Sequence, residues 1–132
     1  MVKPIFYIAV PYTHPNPNIS DLRFRMVTEF CARQSRLGVV VFSPITHSHE
    51  LAKYGTPSVW EFWKQIDIEF IRRSSFLIIL MLDGWRDSVG VQAEIKIAQE
   101  MDITVMYLNY DENIPAQFGD DEKEQYFFKV ED

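Results

Sequence analysis

Two acidic residues of the chain occupy positions where a folded protein ordinarily places Leu or Ile. After Ser58 the pattern is that of an amphipathic helix, with Trp60, Trp63, Asp67, Phe70 and Ile71 recurring along one side. After Ser88 a second helical pattern puts Val91, Glu94, Ala98 and Met101 on one face. A carboxylate moved from water into apolar surroundings costs several kcal/mol unless it is paired, hydrogen-bonded or neutralised. Two readings follow. Either each acid lies at the margin of its stripe and reaches solvent or an arginine such as Arg72, Arg73 or Arg86, or both are held inside for chemistry. Glu94 falls in the first turns of its helix, where the macrodipole favours an ionised carboxylate, as a nucleophile requires. Asp67, among Trp and Phe, is expected to keep a proton near neutrality and to serve as an acid. Two carboxyl groups about 5 Å apart around a sugar carbon suit retaining displacement through a covalent glycosyl intermediate.

Other residues are placed to hold a ligand. Ser88-Val89-Gly90 opens the helix that carries Glu94, and a hydroxyl with free amides at a helix N-terminus forms an anion site. The same Ser88 also reads as a plain N-cap. His47 and His49 stand two apart with no cysteine partner, a poor zinc pattern; sugar or phosphate hydrogen bonding, for which His47 is the candidate, or plain surface exposure fits better. Asp83 ends the longest apolar run, where functional side chains often sit, although Asp83-Gly84 is equally a turn. There is no Walker-type Gly-Lys-Ser/Thr and no GxGxxG, which argues against ATP and dinucleotide sites of those kinds. No metal or redox cofactor is called for. Cys31 is the only cysteine, so an internal disulfide is excluded, and its place in a helical pattern marks it as a packing residue.

The elements that must position these residues alternate. Ile5 to Val10 reads as a buried strand, followed by a Pro-rich segment, 11–17, that is expected to be loop. Ser20 or Asp21 caps a helix running to about Leu37, and Gly38 ends it. Val39 to Phe42 is β-branched and continuous, a second buried strand. Ile45 to Pro57 reads as a long loop or partial helix, after which Ser58 caps a helix from Val59 to Arg73. Phe76 to Leu82 should be the central strand. A loop, Asp83 to Ser88, a helix from Val89 to Met101 and a strand from Ile103 to Leu108 complete the order. Strands alternating with helices imply parallel pairing with helices on both faces. The fold class is therefore single-domain α/β, a flavodoxin- or Rossmann-like three-layer sandwich with at least four parallel strands. The domain spans 1–108; the acidic segment 109–132 is expected to pack on it or to be partly disordered. Ligands in such sheets bind beyond the carboxyl ends of the strands, where the segments 11–17, 43–57 and 83–88 lie.

Composition agrees with one ordinary folded domain: 132 residues, 47% hydrophobic and 24% charged. A net charge of −6, part of it in the tail, argues against general affinity for duplex nucleic acid. No apolar run approaches the ~20 residues that cross a bilayer, and the N-terminal one is too short for a signal peptide, so a cytoplasmic location without a membrane partner is expected. Aromatics at 14% exceed what so small a core needs, which points some of them at a pocket or a subunit interface.

Taken together, Tyr7-Ile-Ala-Val-Pro-Tyr12, Phe42-Ser-Pro-Ile-Thr-His47-Ser-His49, Trp60-x-x-Trp63-x-x-x-Asp67 and Leu80-Met-Leu-Asp-Gly-Trp-Arg-Asp-Ser-Val-Gly-Val-Gln-Ala-Glu94 resemble an uncharacterised bacterial and phage family of small proteins. That family is placed in the nucleoside 2-deoxyribosyltransferase-like superfamily. The resemblance covers roughly Ile5 to Leu108 and is most specific over Asp83 to Glu94. It implies cleavage of the N-glycosidic bond of a nucleoside or nucleoside 5′-monophosphate, by hydrolysis or deoxyribosyl transfer. It implies Glu94 as the nucleophile at the anomeric carbon, Asp67 as an assisting acid and Tyr7 beside the nucleophile. It also implies a homo-oligomer in which neighbours complete the pocket. In the transferases an aspartate stands six residues before the nucleophile; here that position is Ser88, and Asp87 is one residue earlier. A Ser there resembles the monophosphate hydrolases, where it contacts phosphate. Those hydrolases also use a Ser and an Arg after the first strand, where this chain has Pro11 and Thr13; Tyr12, Thr13 or His14 would have to substitute. Trp63 and the Trp-rich helix are expected to face the base. A non-catalytic nucleotide-binding or sensor module on the same fold is the alternative.

Overall fold

The computed structural model describes residues 2–110. The expectation for the acidic tail lies outside the described residues from 111 onward. Four parallel strands, β1 (Ile5–Ala9), β2 (Val40–Phe42), β3 (Phe76–Leu80) and β4 (Thr104–Leu108), form one sheet in the order β2-β1-β3-β4. Tyr7 pairs with Phe42 on one side and with Leu77 on the other, and Ile78 pairs with Met106. This is the strand order of a flavodoxin-like, Rossmann-type three-layer fold, and its chain reversal lies between β1 and β3.

Alternation along the two central strands divides the core. Phe6 and Ile8 of β1, with Ile78 and Leu80 of β3, face the layer containing Val27 and Phe30 of α1 (Pro17–Arg36). Tyr7 and Ala9, with Leu77 and Ile79, face Ile71 of α3 (Trp60–Arg72) and Val91, Ile95 and Ala98 of α4 (Val89–Glu100). The period of two in a strand thus sends the Tyr7 ring toward the two helices that carry the displaced acids. The short helix α2 (Pro44–Leu51) packs against α1 and β1, with Ile45 joining the α1 side of the core.

Several element boundaries differ from those expected. The helix α1 starts at Pro17, not at Ser20 or Asp21, because Asn16 accepts a hydrogen bond from the Asn18 amide and Pro17 fits the first turn, where no amide partner is needed. Ser43 and Pro44 repeat that device: Ser43 Oγ accepts from the Thr46 amide and opens α2 where a loop or partial helix was expected. Ser58 does not cap α3; the N-cap is Val59, without a side-chain hydrogen bond. The strand β2 is a three-residue edge rather than a buried strand, and Val40 is exposed. Ser88 does cap α4, with Oγ accepting from the Val91 amide at 3.2 Å. Among the described residues no helix is long and apolar enough to cross a membrane.

Candidate active site

Asp67 and Glu94 are both inside, with 6% and 4% of their surface exposed. The reading in which each lies at a margin and meets an arginine is thereby overturned. Arg72 and Arg73 pair with Glu69 on the outer face of α3, and Arg86 lies over the ring of Trp85. The helical period accounts for this burial. Asp67 sits four residues before the fully buried Ile71, and Glu94 lies between Val91 and Ala98, both at 0% exposure.

What Asp67 and Glu94 meet in the interior is Tyr7. Its ring is fully buried on the same face of the sheet, and its hydroxyl donates a hydrogen bond to Glu94 Oε2. The same hydroxyl interacts with Asp67, lowering the pKa of that carboxyl against the larger effect of burial. Burial pushes Asp67 up to about 7. It pushes Glu94 up to about 8, against the Tyr7 hydrogen bond and with the Asp67 charge adding to the rise. Tyr7 itself is raised well above the usual phenol range by burial and by its two acidic neighbours, so it remains a hydroxyl. Glu94 was expected to be ionised by its place near the start of α4; desolvation outweighs the helix dipole, which contributes about 0.3–1 kcal/mol at most exposed sites. Near neutrality the pair holds a proton, and the Tyr7 hydroxyl lies between the two carboxyl groups that share it.

Above this pair opens a pocket of about 450 Å³, within the range of small-molecule sites. It gathers the carboxyl ends of the strands as the fold requires. Val10, Tyr12 and Thr13 come from the loop after β1; Pro44, Ile45 and Ser48 come from α2; Val59, Trp60, Trp63 and Asp67 come from α3 and its approach. Asp87, Ser88, Gly90 and Glu94 complete it from the β3–α4 loop and α4. The Trp63 indole donates to the Pro57 carbonyl at 2.7 Å, which fixes one wall. Of the expected ligand contacts, Tyr12, Thr13, Trp63, Asp87, Ser88 and Gly90 therefore share one cavity with Asp67 and Glu94.

Two expected contacts do not. His47 is exposed and turned toward Phe42 and the outer edge of Trp63, lining a different groove beside Thr28 and Cys31. Positions 47 and 49 fall on different sides of a helix, and it is His49 that faces the loop after β1, with Nδ1 2.7 Å from the Tyr12 hydroxyl. The Asp83 side chain is also exposed and outside the pocket; its carbonyl accepts from Arg23 Nη2 at 2.9 Å. Arg23, which the pattern did not single out, also donates to the Tyr12 and Thr13 carbonyls, joining the loops after β1 and β3. Gly84 makes room for it: φ is +89°, and a Cβ there would stand 2.7 Å from Arg23 Nη2. Cys31 packs against the core, and burial pushes its thiol up to about 12. Among the described residues no group of three or more His, Cys, Asp or Glu could hold a metal ion.

A family model described as a domain of unknown function (DUF1937) matches residues 4–110, and the chain belongs to that family. No curated protein matches the chain.

Proposed function

From a member of that family with this geometry, we propose an enzyme that cleaves the N-glycosidic bond of a nucleoside or nucleoside 5′-monophosphate, with retention and with Glu94 as nucleophile. The observation that carries the reading is the buried Glu94–Tyr7–Asp67 cluster at the floor of an aromatic pocket. Acids placed there at the expense of stability are a mark of chemistry rather than of packing. The resemblance to the nucleoside 2-deoxyribosyltransferase-like superfamily assigns the same three residues.

In the reactive form the shared proton is on Asp67 and the charge on Glu94, the arrangement to which the Tyr7 hydroxyl donates. The Glu94 carboxylate attacks the anomeric carbon and forms the glycosyl ester. The carbon–nitrogen bond breaks, its electron pair goes to the base, and Asp67 protonates the departing base, with Asp87 at the pocket rim as the second candidate. Asp67, now a carboxylate, takes a proton from water, which attacks the same carbon and frees Glu94. A second base in place of water gives deoxyribosyl transfer. The side chains of Trp60 and Trp63 offer flat apolar surface to a base. Exposed Val59 and Val89 beside the pocket are where a second copy of the chain would cover its mouth.

A panel of nucleosides and 5′-monophosphates, assayed for free base by chromatography with and without an acceptor base, tests the reading. Base release that disappears in Glu94→Ala supports it, and exchange in the presence of acceptor identifies a transferase. Because burial holds Glu94 toward its neutral form, a non-catalytic nucleotide-binding module is the second reading. Ligand binding by calorimetry with no base released from any member of the panel would favour it.

A further inference from the structure

The two faces of the sheet are covered unequally. A helix with its side chains is about 10 Å wide and strands lie about 4.8 Å apart, so one helix covers about two strands. The face that carries Tyr7 has two helices, α3 and α4, across its four strands. On the other face the only long helix among the described residues is α1, which packs with α2 and β2 toward one edge. There β3 presents Phe76, Ile78 and Leu80, and β4 presents Met106 and Leu108, all apolar. Ile78, Leu80 and Leu108 are nevertheless only 1%, 0% and 2% exposed. Burial so complete on this half of the sheet calls for a second element beside α1.

The described chain leads toward that place. Tyr110 follows β4, and its ring meets Phe30 of α1 edge-on at 5.5 Å. Thr28, Cys31, Ala32 and Ser35 line a groove on the β2 side of α1, so the flank bearing Phe30 and Arg33 faces the opposite way, toward β3 and β4. On that flank Arg33 keeps only 14% of its side chain exposed, whereas Glu29, its ion-pair partner one turn back, keeps 54%. From Asp111 the sequence runs on for 22 residues. They carry eight acidic side chains against two lysines, which accounts for the whole net charge of −6, and the aromatic run Tyr126-Phe127-Phe128.

We propose that the C-terminal segment of the same chain docks on this half-face: Tyr126, Phe127 and Phe128 seat over Phe76 and Met106 beside α1, and the acidic residues before them lie along Arg33. Three aromatic rings supply the apolar area that the half-face takes up. A guanidinium so largely withdrawn from water is stabilised by acidic neighbours, which this segment has in excess. A second copy or another protein would have to displace a segment tethered at Tyr110, whose effective concentration is on the order of millimolar. The docked segment lies across the sheet from Asp67 and Glu94, so it is a cover of the fold and not a lid of the pocket. That placement is independent of the reaction the pocket performs.

The test places a photoreactive benzophenone side chain at Phe128 of the full chain and irradiates it at high dilution. Cross-links within one chain to peptides of β3, β4 or α1 are expected. Cross-links to α3 or α4, or between chains only, overturn the proposal. Hydrogen exchange of the unaltered chain gives a reading that needs no variant. Amides of 124–132 should exchange at least about tenfold more slowly than in a free peptide of the same sequence, and exchange at the peptide's rate overturns the proposal. Phe127→Ser combined with Phe128→Ser should release that protection, speed exchange in β4 more than in α3, and lower the melting temperature by about 5–10 °C. Protection of 124–132 that survives both substitutions, or a melting temperature unchanged by them, overturns it as well.

Discussion

Replacing Glu94 by Gln should make the protein more stable at alkaline pH, by an amount set by the burial of the carboxylate. Glu94 is held at about 8 rather than 4.5. At 1.36 kcal/mol per pH unit, ionising it inside costs roughly 5 kcal/mol if the whole difference is counted. Water entering the pocket and adjustment of Asp67 reduce that figure, so a net gain of about 2–3 kcal/mol is expected for the neutral amide. Because the folded-state pKa is raised, folding favours the protonated carboxyl. The parent is therefore relieved of the penalty below about pH 4.5, loses stability as pH rises from there to about 8, and is level beyond. The amide oxygen that the substitution introduces still accepts from Tyr7, so the contact on that side is preserved. Melting curves of both proteins from pH 4 to pH 9 measure the effect. The variant should gain about 10 °C at pH 9, with the gap closing toward pH 4. A variant that melts below the parent at pH 9, or a gap independent of pH, would refute the claim that a buried, strained carboxylate lies at this position.

The remaining predictions concern the partners of Glu94 and the loops around its pocket. Tyr7→Phe removes the donor that holds the Glu94 pKa down, so the rising limb of the pH–rate profile should move to higher pH, and turnover at pH 7 should fall about 10- to 100-fold. Asp67→Asn should slow release of ordinary bases about 10- to 100-fold but affect a base that leaves without protonation, such as N7-methylguanine, far less; equal losses on both would exclude Asp67 as the acid. Gly84→Ala places a Cβ against Arg23 at a positive φ and should cost about 1–3 kcal/mol in denaturant unfolding. An unchanged midpoint would show that Arg23 does not join the two loops in solution.

The fold was legible because its parallel sheet is written as apolar, β-branched runs separated by helical periods, and Phe76 to Leu82 is too uniformly apolar for an exposed strand. Asp67 and Glu94 stood out for the same reason, as polar residues in apolar registers. What the pattern left open was which neighbours surround them. No periodicity reveals that Tyr7 meets both acids, since that contact depends on the two helices crossing the same face of the sheet; here the family resemblance pointed to Tyr7. Proline misled at the segment 11–17, which read as loop, yet Pro17 at the first turn behind the capping Asn16 side chain starts a helix. Leaving 45–57 open between a loop and a partial helix gave no faces on which to choose between His47 and His49. Once α2 is recognised, Ile45, Ser48 and Ala52 fall at helical spacing along the pocket. Arg23 carried no signal, since its partners are backbone carbonyls that any sequence would supply.

The most direct test is to look for the covalent intermediate itself. The chain is incubated with a deoxynucleoside that it cleaves, quenched in acid and examined by intact-mass and peptide mass spectrometry. A deoxyribosyl adduct on the peptide containing Glu94, absent from Glu94→Gln, is the predicted result. Base release at the parental rate from Glu94→Gln, or an adduct on some other residue, would contradict the assignment of Glu94 as nucleophile.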